Sequence, residues 1–314
     1  MYRILAALTL VAGSISAASL GRVVPIGGSA ADIALDETRG VLYISNFTAN
    51  RIEVMSLASA TIRSSINVSA QPGSMAMSPD GRWLLVAQYG NNAAPASTTN
   101  ALTLIDLSAN NAKQTFALGN APLCVAFAID GKALVVTTQE FLQFDPQTGL
   151  MKLIGTPSGV AAKTLPVPPA NFPADITMAS VAVSGDGRRV YGMAGGTSTI
   201  TFRYDAFGST VSPGGVVLAS GTIGPRVVSL NRDGSTVMAG WLMIDGQGTF
   251  LNDIPQRTNA ASIGTTVFDN KRNLIYAHIP ATAGEAPTLQ LLDVDNLTLR
   301  ERFNLPENTT GKSL

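Results

Sequence analysis

His278 is the only histidine and Cys124 the only cysteine among 314 residues, and those two counts remove most chemistry at once. A metal centre built on several histidines, a haem held by two of them, a disulfide within the chain and a redox pair of cysteines are all ruled out. His278 lies in the apolar run IYAHIP, the setting of a structural strand histidine. Cys124 stands beside Val125 and Phe127 and reads as a buried, inert thiol. Four Asp-Gly pairs (Asp80-Gly81, Asp130-Gly131, Asp186-Gly187, Asp233-Gly234) hint at calcium, but they lie far apart and lack the clustered oxygen ligands calcium needs. Gly27-Gly28-Ser29 and Gly195-Gly196-Thr197 open no helix, so neither makes a phosphate cradle. No catalytic residue, metal site or cofactor is expected from these patterns.

The elements behind these residues are repeats. Six times, apolar alternation enters a tight polar turn and a second apolar strand leaves it: IALDETRGVLYIS from Ile33, MAMSPDGRWLLVA from Met75, VAFAIDGKALVVT from Val125, VAVSGDGRRVYGM from Val181, VSLNRDGSTVMAG from Val228 and TVFDNKRNLIYAH from Thr266. Their first turn residues, Asp36, Ser78, Ala128, Ser184, Asn231 and Asp269, are 42, 50, 56, 47 and 38 residues apart. A strand-rich repeat of that length predicts an all-β fold, a β-propeller of four-stranded blades. Glycine supplies the positive φ of the hairpin turn, and aspartate hydrogen-bonds its own backbone. In the first repeat residues 32–35 read as the innermost strand, 41–45 as the second, 51–56 as the third and 60–68 as the outermost.

This layout resembles the YVTN-type β-propeller repeat of bacterial surface-layer and exported proteins. The likeness is carried by VLYISNFTANRIEV (residues 41–54), QPGSMAMSPDGRWLLVA (71–87) and, more loosely, APLCVAFAIDGKALVV (121–136). The family's motif residues are structural, so the resemblance implies a fold and little chemistry. The Asp-Gly turns do not match the S-x-D-x-G-x-x-W box of sialidase propellers, since no tryptophan follows at that spacing.

Residues 1–18 have the order of a secretory signal peptide: Arg3, an apolar stretch, then Ser16-Ala17-Ala18. They are too short to span a bilayer, and no other stretch is long and apolar enough. The remaining domain, 19–314, is then exported, whether periplasmic, cell-surface or extracellular. Residues 20–26 read as an outermost strand although the sixth repeat has its own at 300–305, and 307–314 read as the lead-in to another inner strand. A seven-bladed ring cut off in its last blade accounts for that surplus. A six-bladed ring with a spare strand is the alternative.

Twenty-one basic residues balance 21 acidic ones and charged residues make up 13% of the chain, so no field draws nucleic acid or anionic lipid. Ligand contacts are expected where the chain exceeds a blade's needs. Residues 89–99 enlarge a loop of the second repeat, residues 155–177 hold five prolines and cannot be an ordinary strand or helix, and residues 244–254 are a smaller candidate. The candidate contact residues are Phe47, Tyr89, Asn91, Asn92 and Phe172, and the partner they suit is a protein or carbohydrate. Trp83 and Trp241 are expected to pack between blades. Two readings follow: an exported, non-enzymatic scaffold that is the N-terminal part of a longer surface or periplasmic protein, or a lactonase-like propeller hydrolase. A cofactor-free propeller subunit of an exported dehydrogenase is a third. N-terminal sequencing of the mature protein is expected to begin after residue 18; material starting at Met1 would remove the export signal.

Overall fold

The computed structural model describes residues 23–90, 99–164, 168, 172–196, 198–219, 227–254, 265–281 and 286–305. They form six antiparallel four-stranded sheets, in each of which strand order follows chain order from the innermost strand outward. Blade one is β1 (Ala30–Asp36), β2 (Val41–Asn46), β3 (Arg51–Ser56) and β4 (Thr61–Asn67). Blade two is β5 (Pro72–Met77), β6 (Trp83–Gln88), β7 (Ala101–Asp106) and β8 (Ala112–Ala117), and blade three is β9 (Pro122–Phe127), β10 (Ala133–Thr137), β11 (Phe141–Phe144) and β12 (Met151–Gly155). Blade four is β13 (Met178–Val183), β14 (Arg189–Gly195), β15 (Ser198–Asp205) and β16 (Thr210–Ala219). Blade five is β17 (Val228–Leu230), β18 (Thr236–Ala239), β19 (Leu242–Asp245) and β20 (Phe250–Asp253). Blade six is β21 (Thr266–Asp269), β22 (Leu274–Ile279), β23 (Thr288–Asp293) and β24 (Leu299–Asn304). Among the described residues the chain is a six-bladed β-propeller whose inner hairpins are the six repeated phrases; the seventh blade expected from the surplus outer strands is not among them.

Alternation along each strand divides every blade into a face toward its predecessor and a face toward its successor. In blade three Val125 and Phe127 pack with Leu85, Leu102 and Leu104 of blade two, while Cys124 and Ala126 join Ala179, Ile200 and Phe202 of blade four. Phe141 meets Phe202 across that second junction with ring centroids 4.7 Å apart. Each large side chain buried this way contributes about 1.5–3 kcal/mol, and the aromatic contact adds up to about 1.5 kcal/mol. Backbone and side-chain latches tie the innermost strands together. Met75 N–H donates to Asp32 Oδ2 at 2.7 Å, and Val125 and Val228 N–H donate to Ser74 and Ser180 Oγ at 3.3 Å.

The antiparallel order places the first-to-second and third-to-fourth turns on one rim, the turn face. The glycines of the Asp-Gly pairs have φ between +68° and +77°, the left-handed region expected. At Gly187 a Cβ would also meet Ile129 Cβ at 2.9 Å, so that turn has no room for a larger residue. In the six first-to-second turns Asp36, Asp80, Asp130, Asp186, Asp233 and Asp269 each accept a following backbone N–H through Oδ1, at 2.9–3.1 Å. The third-to-fourth turns repeat the device: Asp106, Asp145, Asp205, Asp245 and Asp293 each accept a backbone N–H at 2.8–3.0 Å.

Three expectations are corrected. Residues 23–26 lie outside every sheet, so the described part of 20–26 supplies no outermost strand; Ile26 O accepts instead from Asn46 Nδ2 of blade one. Residues 157–161 do form a helix, α1 (Pro157–Ala161), because proline is compatible with the first helical turn and Thr156 Oγ1 caps Gly159 N–H at 3.0 Å. Residues 244–254 are no inserted loop: they contain the end of β19 and all of β20.

Asp106 shows how much the turns hold. The Arg82 guanidinium, with Ser108 second, lowers its carboxyl to about 2. Its folded value lies below the ordinary 3.8, so the ionised form stabilises the fold above pH 4, and that contribution fades as pH falls from about 4 to about 2. Asp106→Asn is expected to lower stability at pH 7 by about 1–2 kcal/mol and to flatten the acid limb of the denaturation curve, measured by urea unfolding across pH. Parental stability at both ends of that range would show that the turn does not depend on the charge.

Candidate functional site

Opposite the turn face lie the second-to-third loops and the blade crossovers. Blade one builds a buried polar cluster there. Asn46, at the end of β2, donates through Nδ2 to Glu53 Oε1 at 3.0 Å and to Ile26 O at 2.9 Å, and accepts from Ala49 N–H. Arg51 Nε donates to the same Glu53 oxygen, and Glu53 is buried. Closer to the ring axis, Ser45 Oγ bridges the backbone of Asp32, accepting from its N–H at 2.7 Å and donating to its carbonyl at 3.2 Å. Both Asp32 carboxylate oxygens accept backbone N–H groups, from Ile33 and Met75.

The corresponding positions of the next three inner strands hold Ser74, Cys124 and Ser180. Burial, then the negative charge of Asp32, push the Cys124 thiol far above its ordinary range. His278, buried in β22, has its pKa lowered by desolvation and is neutral at pH 7. The cluster therefore offers a carboxylate fixed by backbone donors and a protonated thiol, which can position groups by hydrogen bonding. Among the described residues, no three of His, Cys, Asp and Glu come together in a metal-binding arrangement.

The expected contact residues have separate settings. Phe47 is half-buried on the loop face, its N–H donating to Ser29 O at 2.8 Å. Tyr89 is buried, with a left-handed backbone (φ 65°) at a point where Gly73 and Gly90 come close together, so its ring is no open platform for a sugar. Phe172 is half-buried against the core shared by blades three and four. Val160, Ala161 and Ile176 enter that core too, so part of residues 155–177 packs on the ring. Asn91 and Asn92 lie outside the described residues. Trp83 and Trp241 pack at blade junctions as expected, Trp83 with the Arg82 guanidinium 4.3 Å above its ring.

Two side chains that the repeat pattern does not flag are apolar and exposed on the turn face. Phe207 is 69% and Ile129 50% exposed. Ile129 N–H donates to Gly187 O at 2.8 Å, and the neighbouring Arg188 guanidinium sits 5.4 Å from the Phe207 ring. Phe207 follows Asp205, at a turn position where the other blades carry Ser108, Gln147 and Gln247 close by; aligning the third strands would have shown it.

No protein-family description matches the chain. It is 28% identical over 116 residues to Antigen Lp49 of Leptospira interrogans serogroup Icterohaemorrhagiae serovar copenhageni (strain Fiocruz L1-130), a match covering 35% of this chain and a quarter of that protein's length. Among solved structures it is similar to Kuenenia stuttgartiensis hydrazine synthase (TM-score 0.62, 15% identity, 88% of this chain and 79% of that one). It is also similar to the Myceliophteria thermophila Cps50 (Swd1) β-propeller domain (TM-score 0.62, 13% identity, 90% and 87% of the two chains). At those identities the structural likeness establishes the propeller fold alone. A propeller with partial likeness to an antigen fits a binding scaffold, and among the described residues no helix is long and apolar enough to cross a membrane.

The site's own chemistry is directly testable. Cys124 is expected to stay unmodified by a disulfide thiol reagent in the native protein at pH 8 and to react once denatured, read as released thiolate. Stoichiometric reaction of the native protein would place the thiol at an accessible surface.

Proposed function

We propose that this chain is an exported β-propeller, part of a longer surface or periplasmic protein, and that it acts as a binding or assembly scaffold and not as an enzyme. One observation carries the reading. Eleven of the chain's fifteen aspartates sit in blade turns with a carboxylate oxygen on a backbone N–H. Acids used in this way are held in place by the backbone, and general acid–base catalysis needs a carboxyl free to exchange a proton with substrate. The two acids buried by the loop face, Asp32 and Glu53, accept protein hydrogen bonds as well. What remains for a partner is shape and apolar surface on a rigid frame, with the loop-face Phe47 and the turn-face Phe207 and Ile129 as contacts. The YVTN-type resemblance and the partial likeness to an antigen support the same reading, as does the leader-like order of residues 1–18.

The rival lactonase-like hydrolase is tested by a panel of lactones and aryl esters. No turnover above the buffer rate is expected. Turnover that disappears in Asp32→Asn or Glu53→Gln, with the fold retained by circular dichroism, would overturn the scaffold reading.

A further inference from the structure

The six blades do not meet equally. The described residues pack into five apolar clusters, and each spans two consecutive blades: one and two, two and three, three and four, four and five, five and six. Successive innermost strands run side by side from β1 through β5, β9, β13 and β17 to β21, whereas β21 and β1 do not pack against each other in that way.

Equivalent side chains show the consequence. The position three residues before the first turn residue faces the preceding blade: Met75, Val125 and Val228 are 4%, 3% and 5% exposed there and Val181 is half-buried, but Ile33 of blade one is 39% exposed; its same-face neighbour Leu35 is 48% exposed, against 36% for the equivalent Val183 of blade four. The next position faces the following blade and is small in five repeats: Ala34, Ala76, Ala126, Ala182 and Ser229. In blade six it is Val267, 57% exposed. Around Val267 the same face of blade six carries Tyr276 and Leu291, paired in register across β21, β22 and β23 and none of them buried. Two sheet faces thus look onto one junction, and their turn-face ends are not covered as their counterparts are, whereas toward the loop face Ile44 and Glu53 of blade one and His278 of blade six are buried.

We infer that the junction between blade six and blade one is the seat of a further blade: a four-stranded sheet, apolar on both faces, supplied by the same polypeptide beyond Leu314. Continuity of the interface argues for this occupant. Every filled junction is filled by the next blade in chain order, and the two partly uncovered faces are the ones such a blade would have to meet. A sheet apolar on one side only, or a polar loop, would cover one wall and leave the other wet. The inference rests on the reading of this chain as part of a longer polypeptide.

The test introduces Leu35→Cys and Val267→Cys singly, both in the 314-residue chain and in the polypeptide as its natural source makes it, and follows modification by a maleimide. Native Cys124 is buried and gives no background. Both engineered thiols are expected to react freely in the 314-residue chain and roughly tenfold or more slowly in the natural polypeptide at unchanged monomeric state. Amide hydrogen exchange over β1 and β21 of the unsubstituted proteins gives the same comparison should either variant fail to fold. Equal rates would overturn the inference. So would slow reaction in the 314-residue chain, which would mean that six blades close on themselves. Protection that rises with protein concentration would assign the junction to a second copy and overturn it too. A natural polypeptide ending at Leu314 overturns it while leaving the non-catalytic scaffold reading in place, just as ester turnover would remove that reading and leave this one.

Discussion

A four-stranded blade has two apolar faces and cannot bury either by itself. The fold depends on that constraint: each sheet must find a neighbour on both sides, and the clusters between consecutive blades are where its stabilisation resides. The composition suits it. Apolar residues are 46% of the chain and charged residues 13%, enough to fill five junctions while leaving a surface of Ser, Thr, Asn and Gln. The inner latches add direction to the stacking. Asp32, Ser74 and Ser180 each hold the backbone of the following blade, so at those three junctions the inner strands cannot slide without breaking a buried or half-buried hydrogen bond.

The scarcity of charge then decides where chemistry can occur. With fifteen aspartates and six glutamates in all, a fold that places an aspartate in nearly every turn leaves few acids for anything else. The turn carboxylates are lowered by the hydrogen bonds they accept: Ser78 for Asp80, Ser184 for Asp186, Arg272 for Asp269 and Arg300 for Asp293. Such groups hold the hairpins shut and carry charge on the turn face, which helps solubility in a chain with no net charge. Side chains that protrude past them, such as Phe207 and Ile129, are the features a partner can grip.

The inner hairpins were legible because their signal is local: alternation, Asp-Gly, alternation. The third-to-fourth turns carry an equally regular aspartate at 106, 145, 205, 245 and 293, but the strands flanking them are short and vary in length, so the repeat hides behind changing spacing. Blade five is the extreme, with strands of three or four residues, and its last hairpin passed for a loop. The helix after blade three was masked by prolines, which exclude a helix interior but not its first turn. Tyr89 directly follows β6, yet its burial goes with a left-handed backbone and a close contact between Gly73 and Gly90 that no local pattern announces. The exposed faces of blades one and six were beyond reach, since Ile33 and Val267 look like core residues until their neighbours are counted.

The acids of this chain serve the fold by holding its turns. Residue-resolved carbon-13 titration of the side-chain carboxyls tests it most directly. Asp80, Asp106, Asp186, Asp233, Asp245, Asp269 and Asp293 are all expected to titrate below the ordinary 3.8, with Asp106 at about 2. Turn aspartates titrating at or above the ordinary value would contradict it, because carboxylates so placed would not be holding the turns.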